Sequence, residues 1–278
     1  MSKSQKSLAT KPRIAIVVIV VALILSLPLL SHYASHAASK ALVHGNAQTD
    51  PARALVWYKV AATLAPHDPN ILEKLAGSDL QNGSDNDALT AATRSIAHGA
   101  GSTGDVLESQ ALLELGQNDT AIQAAQTAVQ TSTDQAAQVQ LGLAYATAGN
   151  DDRLAATIGL LGTSTAAQTL SSVEHNHFTL AQGLYVRGLL RSSQRILTKY
   201  QVGGSQSYLL QAQIALQLGH NDKNSLEQGR GLLDKAIMIS PERVDLRQAL
   251  QSIDQKLGDD AAAGEQGSKT QALETGKV

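Results

Sequence analysis

His175 and His177 stand two residues apart, flanked by Glu174 and Phe178; the other six His are scattered. A metal pair on a helix needs its imidazoles at i and i+4, as in H-E-x-x-H. Residues two apart do not share a helix face, so the pair reads as a solvated loop or helix start and no metal is expected. Nucleophilic catalysis lacks its frame as well. The chain holds no G-x-S-x-G elbow, no S-x-x-K and no G-x-x-x-x-G-K-[ST] loop, and no G-x-G-x-x-G phosphate loop is expected either. Gly99-Ala100-Gly101 and Gly203-Gly204 read as turns between helices, and Asp259-Asp260 as solvated carboxylates. There is no Cys, which excludes thiolate nucleophiles, Cys-ligated zinc, iron–sulfur clusters and disulfides. The expectation is a protein that is not an enzyme and takes no cofactor.

Arg187, Arg191 and Arg195 are spaced by four and stripe one side of a helix. Two uses fit them: a solvated face, or a docking strip for an acidic partner. Asn82-Gly83-Ser84 and Asn118-Asp119-Thr120 match the glycosylation sequon. They matter only in a eukaryotic source, and the Ala/Gln-rich style points to a bacterial one.

The elements that must position these residues follow from composition. In 278 residues, 43% are hydrophobic but only 3% aromatic, with one Trp and one Phe. That disfavours a β-sandwich or barrel, while the recurrent Ala, Leu and Gln favour helices. The fold class expected is all-α. The net charge of −2 combines four basic residues without an acid in 1–13 (Lys3, Lys6, Lys11, Arg13) with an acidic remainder. No strongly basic surface is available to neutralise phosphates, so no nucleic-acid partner is expected.

Ile14 to Leu25 is an unbroken apolar run that continues, mostly apolar, to Leu30. Residues 14–33 are about the roughly 20 that a helix needs to cross a bilayer. With the basic flank kept inside, the expectation is a single-pass membrane protein. Residues 1–13 would be cytoplasmic, 14–33 a transmembrane signal anchor, and the rest extracytoplasmic. A cleaved signal peptide is the alternative, with Ser35-His36-Ala37 as the small-residue cleavage site.

After this segment the chain is periodic. Gly83, Gly116, Gly149 and Gly219 each follow an Ala/Leu-rich stretch and precede another, with Asn or Asp close behind. Gly suits the position just past a helix end, and Asn or Asp the start of the next helix. Successive intervals are 33, 33 and 70 residues, with Gly188 between the last two. Inside the units, Leu141-Gly142-x-x-Tyr145-x-x-x-Gly149 forms one signature. Ala54, Tyr58, Ala61 and Pro66 form another, repeated by Gly229, Leu233, Ala236 and Pro241. Ala88, Ala92, Ser95 and Ala100, and Ala121, Ala125, Ala128 and Thr133, follow it with small residues. Small residues let two helices lie close, and Pro stops the second one.

On these residues the chain resembles the tetratricopeptide-repeat (TPR) family, whose unit is about 34 residues of two helices. The resemblance implies a TPR-like right-handed α-solenoid of about six helix pairs over 34–257, weaker in 162–204. A plain helical bundle would share the helical periodicity but not the fixed turn interval. Residues 242–257 read as the capping helix and 258–278, poor in large apolar residues, as a disordered tail.

Members of the family mostly bind proteins or peptides in the groove lined by first helices. The resemblance therefore implies a membrane-tethered interaction scaffold or adaptor for an envelope, secretion or pilus complex. A chaperone-like factor at the secretion translocon, a secreted form after cleavage, a spacer without ligand, and an enzyme presenting substrate are the other readings. The groove would include Asn70, Glu73, Lys74, Gln81, Gln110, Glu114, Gln138 and Thr147. That surface is polar and nearly neutral, without a Lys/Arg clamp for a carboxylate tail. It suits extended docking of a protein or peptide partner.

Overall fold

A computed structural model describes residues 32–276 apart from Gly162 and His175. Among the described residues the structure is all-α, with fifteen helices and no strand. They are α1 (32–46), α2 (Pro51–Leu64), α3 (Pro69–Gln81), α4 (Asp85–Ala97), α5 (Ser102–Glu114), α6 (Asn118–Thr131), α7 (Gln135–Ala148) and α8 (Asp151–Leu161). The second half holds α9 (Thr165–Glu174), α10 (His177–Val186), α11 (Leu190–Lys199), α12 (Ser205–Leu218), α13 (Lys223–Ile239), α14 (Val244–Leu257) and α15 (Asp260–Glu274).

Local chemistry sets the boundaries. The Asp50 and Asp68 carboxylates accept from the first-turn amides of α2 and α3, each ahead of a Pro at the first helical position. The expected turn glycines work as read. Gly83, Gly116, Gly149 and Gly188 have φ of 70°, 77°, 76° and 78°. The amide that follows each reaches back five residues, as Ser84 to Asp79 at 2.8 Å and Gln117 to Leu112 at 2.9 Å. This is the Schellman ending, in which a left-handed residue satisfies the last carbonyls. At Gly219 the left-handed role passes to His220 and Asn221.

The small positions of the repeat are the packing surface. Ala88, Ala92 and Ser95 on α4, Ala121, Ala125 and Ala128 on α6, and Leu233 and Ala236 on α13 are all buried. Helices pair in chain order as α3/α4, α5/α6, α7/α8, α10/α11, α12/α13 and α14/α15, and α3, α5 and α7 stack side by side. Ala38 and Ala41 of α1 share a core with Ala54 and Tyr58 of α2, so with α1/α2 six pairs precede Val244, and α14/α15 makes a seventh. Helix α9 stands outside the two-helix alternation: it packs first on α8, and also against α7 and α10. It interrupts the period in the stretch where the sequence pattern is weakest. Gly142 explains the close approach there: a Cβ on it would stand 2.4 Å from the Leu170 side chain of α9.

Two expectations are corrected. Among the described residues no helix is long and apolar enough to cross a membrane, which overturns the single-pass membrane localisation. Of the segment read as a span, 14–31 lies outside the described residues, as does the basic segment 1–13. The last two residues, His32 and Tyr33, belong to α1, which carries Lys40 and packs its Ala38 and Ala41 inward. The stretch 258–278, read as disordered, contains helix α15. Asp259 caps it, Ala263 is buried, and Arg230 ties its cap to α14 through Asp259 and Asp254. Small residues suffice there because docking on α14, rather than large apolar side chains, holds the helix.

Candidate functional site

Four of the eight groove candidates sit on α3. Glu73, Lys74 and Gln81 line one cavity of about 410 Å³ together with Gln48, Tyr58 and Leu107. The α1–α2 loop, α2, α3 and α5 contribute to its wall. Tyr58 is fixed there by donating its hydroxyl to Asn46 Oδ1 at 2.9 Å. Partial burial pushes the Glu73 carboxyl up, and the ammonium of Lys74 beside it opposes that shift. The wall is thus carboxamide, hydroxyl and one opposed charge pair over an apolar floor. Asn70 is exposed on the first turn of α3, outside this cavity.

Gln110 is drawn into a different arrangement. It donates to Gln140 Oε1 at 3.5 Å, and Gln140 donates to Ser109 Oγ at 3.0 Å. Gln140 and Ser109 are buried, so this is a polar rung joining α5 to α7. Gln140 escaped sequence reading because it sits beside the apolar signature that starts at Leu141. Gln138 is half-buried on α7 and takes no part in the rung.

Glu114 and Thr147 do not line an open groove. Glu114 is 2% exposed and Thr147 is 6% exposed, the latter donating to Leu143 O at 2.7 Å. The chain itself covers this place. Helix α11 folds back onto the carboxy-terminal ends of the first helices. The Glu114 carboxylate accepts the backbone N–H groups of Arg191 at 2.7 Å and Ser192 at 2.8 Å. Arg191 ion-pairs with Asp85 and donates to Gly83 O at 2.9 Å. Arg195 donates to Leu113 O, and to Glu114 O at 3.0 Å. Burial pushes the Asp85 and Glu114 carboxyls up, while Arg191 opposes it at Asp85 and the Ser192 and Arg191 bonds oppose it at Glu114. Two arginines of the stripe therefore dock on this chain's own turns. Arg187 is the C-cap of α10 and bonds back to Gly183 O at 3.1 Å, so the three arginines do not stripe one helix as expected: the turn at Gly188 separates Arg187 from α11.

A second cavity, of about 500 Å³, lies between α10 and α12. Phe178, Tyr185 and Leu209 form its apolar wall, with Gln182, Gln206 and Gln213 at its polar positions. The signal available in sequence was the chain's one Phe, at a position facing the next first helix. His177, by contrast, stacks on Tyr200 with ring centroids 3.5 Å apart, and His175 lies outside the described residues.

Against the expectation of no such loop, residues 99–104 do carry the G-x-G-x-x-G spacing. It leaves a helix, α4, rather than a strand, and opens α5. The dinucleotide fingerprint needs the strand. A Cβ on Gly104 would stand 2.7 Å from Ile96, and the next residue, Asp105, is a buried acid. The glycines serve close helix packing, and the carboxylate disfavours a phosphate.

No family model matches the chain, and no curated protein matches it. Among solved structures it is similar to a tetratricopeptide repeat protein from Parabacteroides merdae, at 15% identity over 88% of this chain and 93% of that one, with a TM-score of 0.42. A thermophilic TPR protein of Thermus thermophilus shares 20% identity over 78% of this chain and 98% of that one, with a TM-score of 0.41. The human IFIT1 dimer with PPP-AAAA shares 14% identity over 90% of this chain and 66% of that one, with a TM-score of 0.41.

Proposed function

We propose that this protein is a non-catalytic interaction scaffold that holds an extended peptide segment of a partner protein in the α2/α3/α5 cavity. The observation that carries this reading is the convergence of Glu73, Lys74 and Gln81 with Gln48 and Tyr58 in one open cavity. Carboxamides can pair with the N–H and C=O of an extended chain, and a floor of Ala54, Pro51 and Leu107 can take a small apolar side chain. The opposed Glu73 and Lys74 leave no net charge to select a charged tail. No basic patch of the kind phosphate recognition uses lines the cavity, so the partner is protein rather than nucleic acid.

A displayed library of random linear peptides, selected on the full chain, tests this. Selected peptides should bind by fluorescence anisotropy, and the triple variant Glu73→Ala, Lys74→Ala, Gln81→Ala should lose them with unchanged helical circular dichroism. Peptides that bind the triple variant as well as the parent would place the site elsewhere. A second reading, the holding of apolar segments as a chaperone would, is favoured by Phe178, Tyr185 and Leu209 in the α10/α12 cavity. Peptides that instead lose binding on Phe178→Ala would select it.

A further inference from the structure

The loop after α2 and the end of α4 meet at two imidazoles. His67 Nδ1 lies 3.0 Å from His98 Nε2, with the ring centroids 4.5 Å apart. The two residues are 31 positions apart and come from consecutive helix pairs. Both are exposed. The backbone beneath them is held on each side. Arg94 of α4 donates to Pro66 O at 2.9 Å, and Asp68 accepts from the Asn70 and Ile71 amides. His98 is the C-cap of α4, its N–H bonded to Ser95 O at 3.1 Å.

We propose that His67 and His98 form a two-imidazole clip for one late first-row divalent cation (Cu²⁺, Ni²⁺ or Zn²⁺) that joins the first two repeat units. At this separation one hydrogen fits between the two ring nitrogens, and a metal ion can take its place. Two imidazole nitrogens at about 2.0–2.1 Å from a tetrahedral zinc stand about 3.3 Å apart. Neighbouring corners of a square-planar copper site stand about 2.8 Å apart. The observed 3.0 Å lies between these, so a movement of a few tenths of an ångström completes either geometry.

The donor set chooses the metal. Neutral imidazole suits zinc, copper and nickel, whereas magnesium and calcium require oxygen. Among the described residues no group of three or more His, Asp or Glu gathers. The clip thus supplies two protein ligands, and its exposure leaves the other positions to water. The flanking charges are the Arg94 guanidinium and the Asp68 carboxylate, one of each sign and each already engaged with backbone. Because the two ligands belong to different units, the ion binds the folded chain and not the unfolded one. Binding then raises stability by mass action.

The test uses the full chain, with calorimetric titration and thermal melts in ZnCl₂, NiCl₂, CuSO₄ and, as control, MgCl₂. One ion per chain should bind, the melting temperature should rise with metal concentration, and magnesium should do nothing. His67→Ala and His98→Ala should each weaken binding at least about tenfold, since either leaves a single imidazole. In the parent chain, imidazole nitrogen resonances should shift at His67 Nδ1 and His98 Nε2, a readout independent of how the variants fold. Wild-type affinity in both variants would put the ion elsewhere and overturn the clip. So would a melting temperature unmoved by all three metals up to about 1 mM.

Discussion

Glu114 caps a helix that begins far along the chain: its carboxylate accepts the backbone N–H of Arg191 at 2.7 Å across 77 positions. The adjacent Ser192 N–H joins at 2.8 Å. An N-cap is normally the residue just before its helix. Here the residue before α11 is Leu189, which makes no side-chain cap, and a glutamate from α5 does the work. The same contact removes Glu114 from any partner's reach.

Glu114→Ala should therefore destabilise the fold. It strands two amide donors in a buried place, at about 1–3 kcal/mol. Glu114→Gln keeps an acceptor oxygen and should cost clearly less. Urea unfolding midpoints of the two variants check this. Equal and negligible shifts would mean that α11 does not dock on α5.

Asp79 supplies a pH dependence. It is 1% exposed, one of its oxygens has no hydrogen-bond partner, and Lys59 Nζ is 3.8 Å away. Burial pushes its carboxyl from the ordinary 3.8 up to about 6, with Lys59 opposing and Asp87 adding. The folded state thus holds the proton more tightly than the unfolded state. Its ionisation costs stability as pH rises through the window from 3.8 to about 6, and the cost is complete at pH 7. Asp79→Asn should raise the melting temperature at pH 7, and the gain should fade as pH falls toward 3.8. A gain that grows on acidification would contradict the assignment.

Two glycines should respond in opposite directions to alanine. Gly142→Ala places a Cβ 2.4 Å from Leu170, and such overpacking costs about 1–3 kcal/mol. Gly159, inside α8, has nothing within 4 Å of a built Cβ. Gly159→Ala should stabilise by about 0.5–1 kcal/mol through helix propensity alone. Thermal melts of both variants decide it, and a stabilising Gly142→Ala would refute the α7–α9 contact.

Ala263 probes the last helix. It is 4% exposed on α15, so Ala263→Asp forces a carboxylate against α14. It should lower the melting temperature and remove amide hydrogen-exchange protection from residues 260–274. An exchange profile already unprotected in the parent chain would contradict the packing of α15.

The sequence by itself determined the local grammar. Gly83, Gly116 and Gly149 at 33-residue intervals, and the small residues at Ala88, Ala92, Ala121 and Ala125, mark helix ends and close-packed faces. These depend on one residue's φ and on neighbours three or four positions away, so they are written along the chain. The same periodicity put Glu73, Lys74 and Gln81 on one first helix, and the tertiary structure places all three on the wall of one cavity. Tertiary structure alone decided the rest. Arg191 and Arg195 carry the same spacing whether they face water or a partner, and only the fold-back brought Asp85 and the end of α5 to them. Glu114 and Thr147 were polar on a first helix, and the fold buried both, Glu114 beneath the start of α11. Residues 260–274 carry a single large apolar side chain, Leu273, too few to announce a helix, and α14 supplied the surface on which they order. In each case the deciding partner lies tens of residues away, where burial and pairing are set by how helices stack and not by any period in the sequence.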